Sequence, residues 1–97
     1  MSRESQTMKR KRITFTFHAS EAKSVHIAGS FNDWNVSADP LSQSKKDMAE
    51  GTWRKILYLE PGVYEYRFLV DGIWHDDSDA VEAWENEFGS FNCVIWV

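Results

Sequence analysis

The sequence predicts an all-β protein, a β-sandwich of two antiparallel sheets, and three observations carry that prediction. Several short runs alternate apolar and polar residues with the period of two that a half-buried strand requires. Turn-forming residues punctuate them, most clearly Glu60-Pro61-Gly62 and Asp71-Gly72. No run shows a convincing helical period. The 97 residues make one domain, long enough to bury a core without disulfides or metals.

Met1 to Met8 is polar and unpatterned, and Lys9-Arg10-Lys11-Arg12 follows it as a basic cluster. Together they are expected to form a flexible N-terminal arm over residues 1–12, ahead of a sandwich domain over 13–97. In the first strand Ile13, Phe15 and Phe17 face the core, while Thr14, Thr16 and His18 face out. Lys23 to Phe31 is a second strand ending at Gly29-Ser30, followed by the turn-rich Phe31-Asn32-Asp33-Trp34-Asn35. Val36 to Gly51 holds Pro40, several serines and Lys45-Lys46-Asp47, and reads as a long surface loop with Leu41 tucked in. Thr52 to Leu59 is a third strand with Trp53, Leu57 and Leu59 inward and Lys55 the odd member of that face.

Glu60-Pro61-Gly62 then turns the chain into Val63–Val70, where Tyr64, Tyr66, Phe68 and Val70 share the core face. Asp-Gly between alternating runs signals a type I′ hairpin, since both central positions need positive φ. Closing that hairpin sets Val70 opposite Ile73 and Leu69 opposite Trp74, and opposed residues point to the same side. Trp74 therefore joins Arg67 and Leu69 on the outer face. For a lone tryptophan, packing under a loop is the commoner arrangement; a platform of indole and guanidinium needs support from elsewhere in the chain. His75-Asp76-Asp77-Ser78-Asp79 ends the pairing, Ala80–Glu87 reads as an acidic loop, and Cys93–Val97 is the last strand.

Composition excludes several classes. Net charge is −4, against a main role on a phosphate backbone, with nucleic-acid contact through the basic cluster a minor alternative. The N-terminus lacks the apolar run of a signal peptide, and no stretch has the length of a membrane span. The single cysteine, Cys93, sits in an apolar run, which fits a buried thiol in a reducing, cytoplasmic setting. His18, His26 and His75 are scattered, and Asp76, Asp77 and Asp79 lack the glycine and terminal glutamate of a calcium loop, so no metal or cofactor is expected. Five tryptophans are many for this length, and tryptophan suits surfaces that are apolar on one side and reachable on the other. Trp53 and Trp96 lie inside strands and read as packing, while Trp84 either pins the acidic loop or extends a binding surface.

Val25-His26-Ile27-Ala28-Gly29-Ser30-Phe31-Asn32-Asp33-Trp34, Pro40-Leu41, Tyr64 to Trp74, and Gly89 to Ile95 form an ordered series. It resembles the family 48 carbohydrate-binding modules, in particular the glycogen-binding domain of AMP-activated protein kinase β subunits, over nearly all of the chain from Ile13. The resemblance implies an immunoglobulin-like, early-set sandwich that binds α-1,4-linked glucan on one face. By position, the family's two tryptophans fall on Trp34 and Trp74 and its lysine on Arg67. The loop's apolar, hydroxyl and amide positions fall on Phe88, Ser90 and Asn92. Arginine for lysine keeps the charge but changes hydrogen-bond geometry. Phenylalanine stands where the kinase domain has leucine, and serine where it has threonine.

The resemblance turns the lone tryptophan into one member of a set, and the hairpin register had independently put Trp74 beside Arg67. A pyranose presents an apolar C–H face and a rim of hydroxyls, which flat indoles and flanking amide and charged donors can match. The expected function is non-catalytic binding of glycogen, starch or maltooligosaccharides. No Asp or Glu is singled out as an acid or base pair. The alternative is a protein-interaction or regulatory module for a kinase or glucan-metabolising enzyme that has lost sugar binding. In the family such domains sit beside others, whereas this chain carries little besides the domain.

Overall fold

In the computed structural model, which describes residues 9–43 and 51–97, the chain forms eight strands in two antiparallel sheets. They are β1 Lys11–His18, β2 Val25–Gly29, β3 Ser42–Gln43, β4 Thr52–Leu59, β5 Val63–Val70, β6 Ile73–His75, β7 Ala83–Glu85 and β8 Phe91–Trp96. One sheet has the order β1-β4-β3; the other has β2-β5-β8-β7, with β6 also paired to β5. The architecture is the expected immunoglobulin-like sandwich. Among the described residues no helix is long and apolar enough to cross a membrane.

Strand alternation builds the core as the period of two requires. Phe15 of β1 meets Tyr66 of β5 at 5.1 Å between ring centroids, and Phe17 meets Phe68 at 5.0 Å, which joins the two sheets. Val25, Ile27 and Phe68 are fully buried between them. Trp53 is buried too, its indole N–H donating to the Ala19 carbonyl at 3.0 Å, and Leu41 is tucked in as expected. Gly29 is required by close approach. A Cβ there would collide with the Glu65 carbonyl and lie 2.8 Å from Tyr66 Cβ, so only glycine lets β2 lie against β5 at this point.

The Asp71-Gly72 hairpin has the expected register, Val70 opposite Ile73 and Leu69 opposite Trp74. Both turn residues have positive φ, 50° and 83°. Asp71 also accepts from the backbone N–H groups of Lys23 and Ser24 at 2.9 Å each, tying the turn to the entry of β2.

Four expectations about the strands and their faces need correction. The first strand opens at Lys11, so Lys11 and Arg12 pair with Leu59 and Tyr58 within the sheet. Ala83–Glu85, expected in a loop, is an edge strand on β8. Its three residues are too few to show a period, and they are held by pairing to a distant strand. Within the expected loop 36–51, Pro40 bridges to His26 and Ser42–Gln43 pairs with β4. The Lys45-Lys46-Asp47 group and the arm's first eight residues lie outside the described residues. Finally, Trp96 is 65% exposed, because β8 presents alternate residues to the two sides and Trp96 falls on the outer one.

The acidic segment after β6 is partnered, where a solvated loop was expected. Tyr66 O–H donates to the Asp77 carboxylate at 2.6 Å, Asp77 N–H donates to Cys93 Sγ at 3.2 Å, and Asp76 pairs with Arg67. Among the described residues no group of three His, Cys, Asp or Glu is placed to hold a metal ion. Burial, then the hydrogen bond to Asp77, pushes the Tyr66 hydroxyl well above the ordinary tyrosine range, and burial also pushes the Cys93 thiol up. The folded chain thus holds the Tyr66 proton past the pH at which the unfolded chain releases it. Tyr66 stabilisation is fully present below about pH 10 and lost as pH rises above it. Tyr66→Phe is expected to cost about 1–2 kcal/mol at neutral pH by leaving Asp77 Oδ2 without its donor, while Oδ1 keeps the Asp79 N–H. The same variant removes the tyrosine's share of the alkaline loss, and thermal melts from pH 7 to pH 11 will show both effects.

Candidate functional site

Two tryptophans distant in sequence meet above the outer face of the five-stranded sheet. β6 carries Trp74 opposite Leu69, on the side of β5 that also bears Glu65 and Arg67. Trp34 comes from the segment after β2, where a 3-10 turn at Ser30–Asn32 is followed by two left-handed residues, Asp33 and Trp34, at φ 57° and 58°. Such conformations cost non-glycine residues about 1 kcal/mol or more each and persist where the surroundings enforce them. Asn32 does the enforcing: its Oδ1 accepts from Gly29 N–H at 3.0 Å, and its Nδ2 donates to the Ile27 carbonyl at 3.2 Å and the Asp39 carboxylate at 2.8 Å. Trp34 N–H donates back to the Gly29 carbonyl at 2.9 Å. The two indoles end with centroids 6.4 Å apart and planes at 70°, each a little over a third exposed.

Arg67 lies over the Trp74 ring and lines the same cleft. Its guanidinium carbon is 6.0 Å from the Trp74 ring centre, and its Nε–H donates to Asp76 at 3.1 Å. The cation is therefore oriented by one carboxylate and one indole, and Asp76 is its one ion-pair partner among the described residues.

The opposite wall is the turn joining β7 to β8, organised by Asn86. Its Oδ1 accepts from the N–H groups of Phe88 and Ser90 at 2.9 and 3.1 Å, and its own N–H donates to the Ser90 carbonyl at 2.8 Å. Its Nδ2 donates to Asn92 Oδ1 at 3.1 Å, while Asn92 Nδ2 donates to Glu65 at 3.3 Å, so both ends of the Asn92 amide are engaged. Phe88, 83% exposed, stands at the tip of the turn.

These walls enclose an open cleft of about 610 Å³. All six residues singled out in the sequence, Trp34, Arg67, Trp74, Phe88, Ser90 and Asn92, line it together. Sequence reasoning missed three others: Glu65, Asn86 and Glu87. Glu65 was within reach, since it alternates with Arg67 on the outer face of β5. Asn86 gave a weaker signal, an Asn before Phe88-Gly89-Ser90 of the kind that folds its side chain back on its own turn. Chemically the cleft offers two apolar ring faces, a held cation and amide and carboxylate groups, arranged for a ligand with flat C–H faces and many hydroxyls.

A family model described as the glycogen recognition site of AMP-activated protein kinase matches residues 11–97. The chain belongs to that family. The 5'-AMP-activated protein kinase subunit beta-1 of Sus scrofa is 40% identical over 76 residues, 77% of this chain and 55% of the pig sequence. Subunit beta-2 of Homo sapiens is 40% identical over the same length, covering 25% of that protein, and beta-1 of Rattus norvegicus is 37% identical, also covering 25%. The chain thus spans about half the length of the pig relative and a quarter of the other two. Within this member of the glycogen-recognition family, the matched segment takes in the strained Asp33-Trp34 pair that carries the first tryptophan, the hairpin that carries the second, and the Asn86 turn.

Proposed function

We propose that the chain binds α-1,4-linked glucans, such as glycogen, starch and maltooligosaccharides, in the cleft between Trp34, Trp74 and the Asn86 turn, without catalysing their conversion. The Trp34–Trp74 pair carries this reading. Indole planes set at 70° suit successive glucose rings of a curved chain, each stacking its C–H face on one indole. Arg67, Ser90 and Asn92 then meet the hydroxyl rim, and the family's description as a glycogen recognition site supports the same ligand class. Against catalysis, the cleft is open to water, Asp76 is engaged by Arg67 and Glu65 by Asn92. Glycosidic cleavage needs a fixed pair of carboxyl groups flanking the bond, roughly 5 to 10 Å apart.

In this reading the domain is the glucan-docking part of a cytoplasmic kinase assembly like those its relatives are named for. A few contacts on an open surface give modest affinity for a short oligosaccharide, roughly micromolar to millimolar. Many chain ends on one polymer particle raise the apparent affinity. Titration with maltoheptaose and with β-cyclodextrin, followed by tryptophan fluorescence, is expected to give saturable quenching with both sugars. No response to either would overturn the proposal.

A further inference from the structure

The outer face of the same sheet carries a second pair of tryptophans that the cleft does not use. Trp84 of β7 and Trp96 of β8 have ring centroids 6.3 Å apart and planes at 83°, closely matching the geometry of Trp34 and Trp74. Both indole N–H groups donate to one carboxylate, that of Glu82: Trp84 to Oε2 and Trp96 to Oε1, each at 2.8 Å. Trp96 is 65% exposed and Trp84 37%.

Register puts this pair on the side of the sheet that bears the cleft. Trp84 lies opposite Asn92, a cleft residue, and Trp96 lies opposite Val63, two positions before Glu65. Trp74 and Trp96 lie opposite positions 69 and 63 of β5, and at the strand rise per residue that separates them by about 20 Å along the strand.

We infer that Trp84 and Trp96, clamped by Glu82, form a second stacking subsite for glucose rings of a chain that runs out of the cleft. This rests on the glucan reading of the cleft and extends it. With their N–H edges already taken, what the indoles offer an incoming ligand is ring face, the group that a pyranose C–H face requires. The shared carboxylate holds the exposed rings before the ligand arrives, so little side-chain freedom is lost on binding. Each Glu82 oxygen still has acceptor capacity for a sugar hydroxyl. The Glu82 carboxylate between the two indoles disfavours a phosphate ligand. A second site in line with the first acts by effective concentration, so its contribution appears only with a glucan long enough to reach both.

The test compares the whole chain with its Trp96→Leu and Trp96→Tyr variants, using isothermal titration with maltotriose and maltoheptaose. Wild type is expected to bind the longer sugar more tightly than the shorter. Trp96→Leu should leave maltotriose affinity unchanged and weaken maltoheptaose about three- to tenfold, because linkage between the sites is lost. Trp96→Tyr keeps a flat ring and should retain most of the gain, with thermal melts confirming that both variants fold. If Trp96→Leu tracks wild type on both sugars, or loses both equally, the subsite is overturned while the cleft reading stands. A wild-type chain that binds neither sugar overturns the cleft and the subsite together.

Discussion

Replacing Trp74 by alanine will abolish retention of the chain on glycogen in affinity electrophoresis while leaving the sandwich folded. The substitution removes one of the two stacking faces, the ring that Trp34 packs against and the surface over which Arg67 lies. Buried aromatic anchors of binding sites typically cost 2 kcal/mol or more when truncated, roughly thirtyfold in affinity. Stability should fall by less than about 1 kcal/mol, since Trp74 is 40% exposed on a three-residue strand at the sheet's rim. Lengthening the Asp71-Gly72 turn by one residue should give the same loss by another route. A one-residue slip sends Trp74 to the opposite side of the sheet without deleting it. Normal retention of both variants would place the ligand elsewhere on the molecule.

Asn86→Ala will weaken maltoheptaose binding about five- to tenfold, although Asn86 need not touch the sugar, because preorganisation of the binding turn is lost. Its amide accepts from two backbone N–H groups of the turn and donates to Asn92, so alanine releases Phe88, Ser90 and the orientation of the Asn92 amide together. Asn86→Asp keeps the acceptors but loses the donor, and should recover the turn while leaving Asn92 misoriented. Its affinity is therefore expected between wild type and alanine. A merely structural role would instead make affinity follow thermal stability across the three proteins. Titration alongside thermal melts separates these outcomes.

Much of the fold was legible residue by residue. Ile13, Phe15 and Phe17 against Thr14 and Thr16, or Tyr66 and Phe68 against Glu65 and Arg67, announce strand faces because a strand turns its side chains by half a revolution at each step. Asp71-Gly72 announces both a turn type and a register. The strands that escaped, Ser42–Gln43 and Ala83–Glu85, are two and three residues long and exist through pairing with β4 and β8. Trp96 escaped for a related reason. Membership of a strand says that alternate residues are buried, and which alternate that is depends on the partner sheet.

The cleft divides along the same line. By itself the chain determined that Trp74 and Arg67 share a face, since both follow from one local hairpin, and the family pattern named Trp34, Phe88, Ser90 and Asn92 as their companions. Only the tertiary structure decided that the strained Asp33-Trp34 segment sets one indole at 70° to the other. It alone decided that Asn86 anchors the far wall, and that Glu82 ties Trp84 and Trp96 into a second pair on the same side. Hairpin register and side-chain alternation are local, so neighbouring residues encode them. The ring angle between Trp34 and Trp74, and the carboxylate that Trp84 of β7 shares with Trp96 of β8, join residues of different elements, brought together by packing of the whole sandwich.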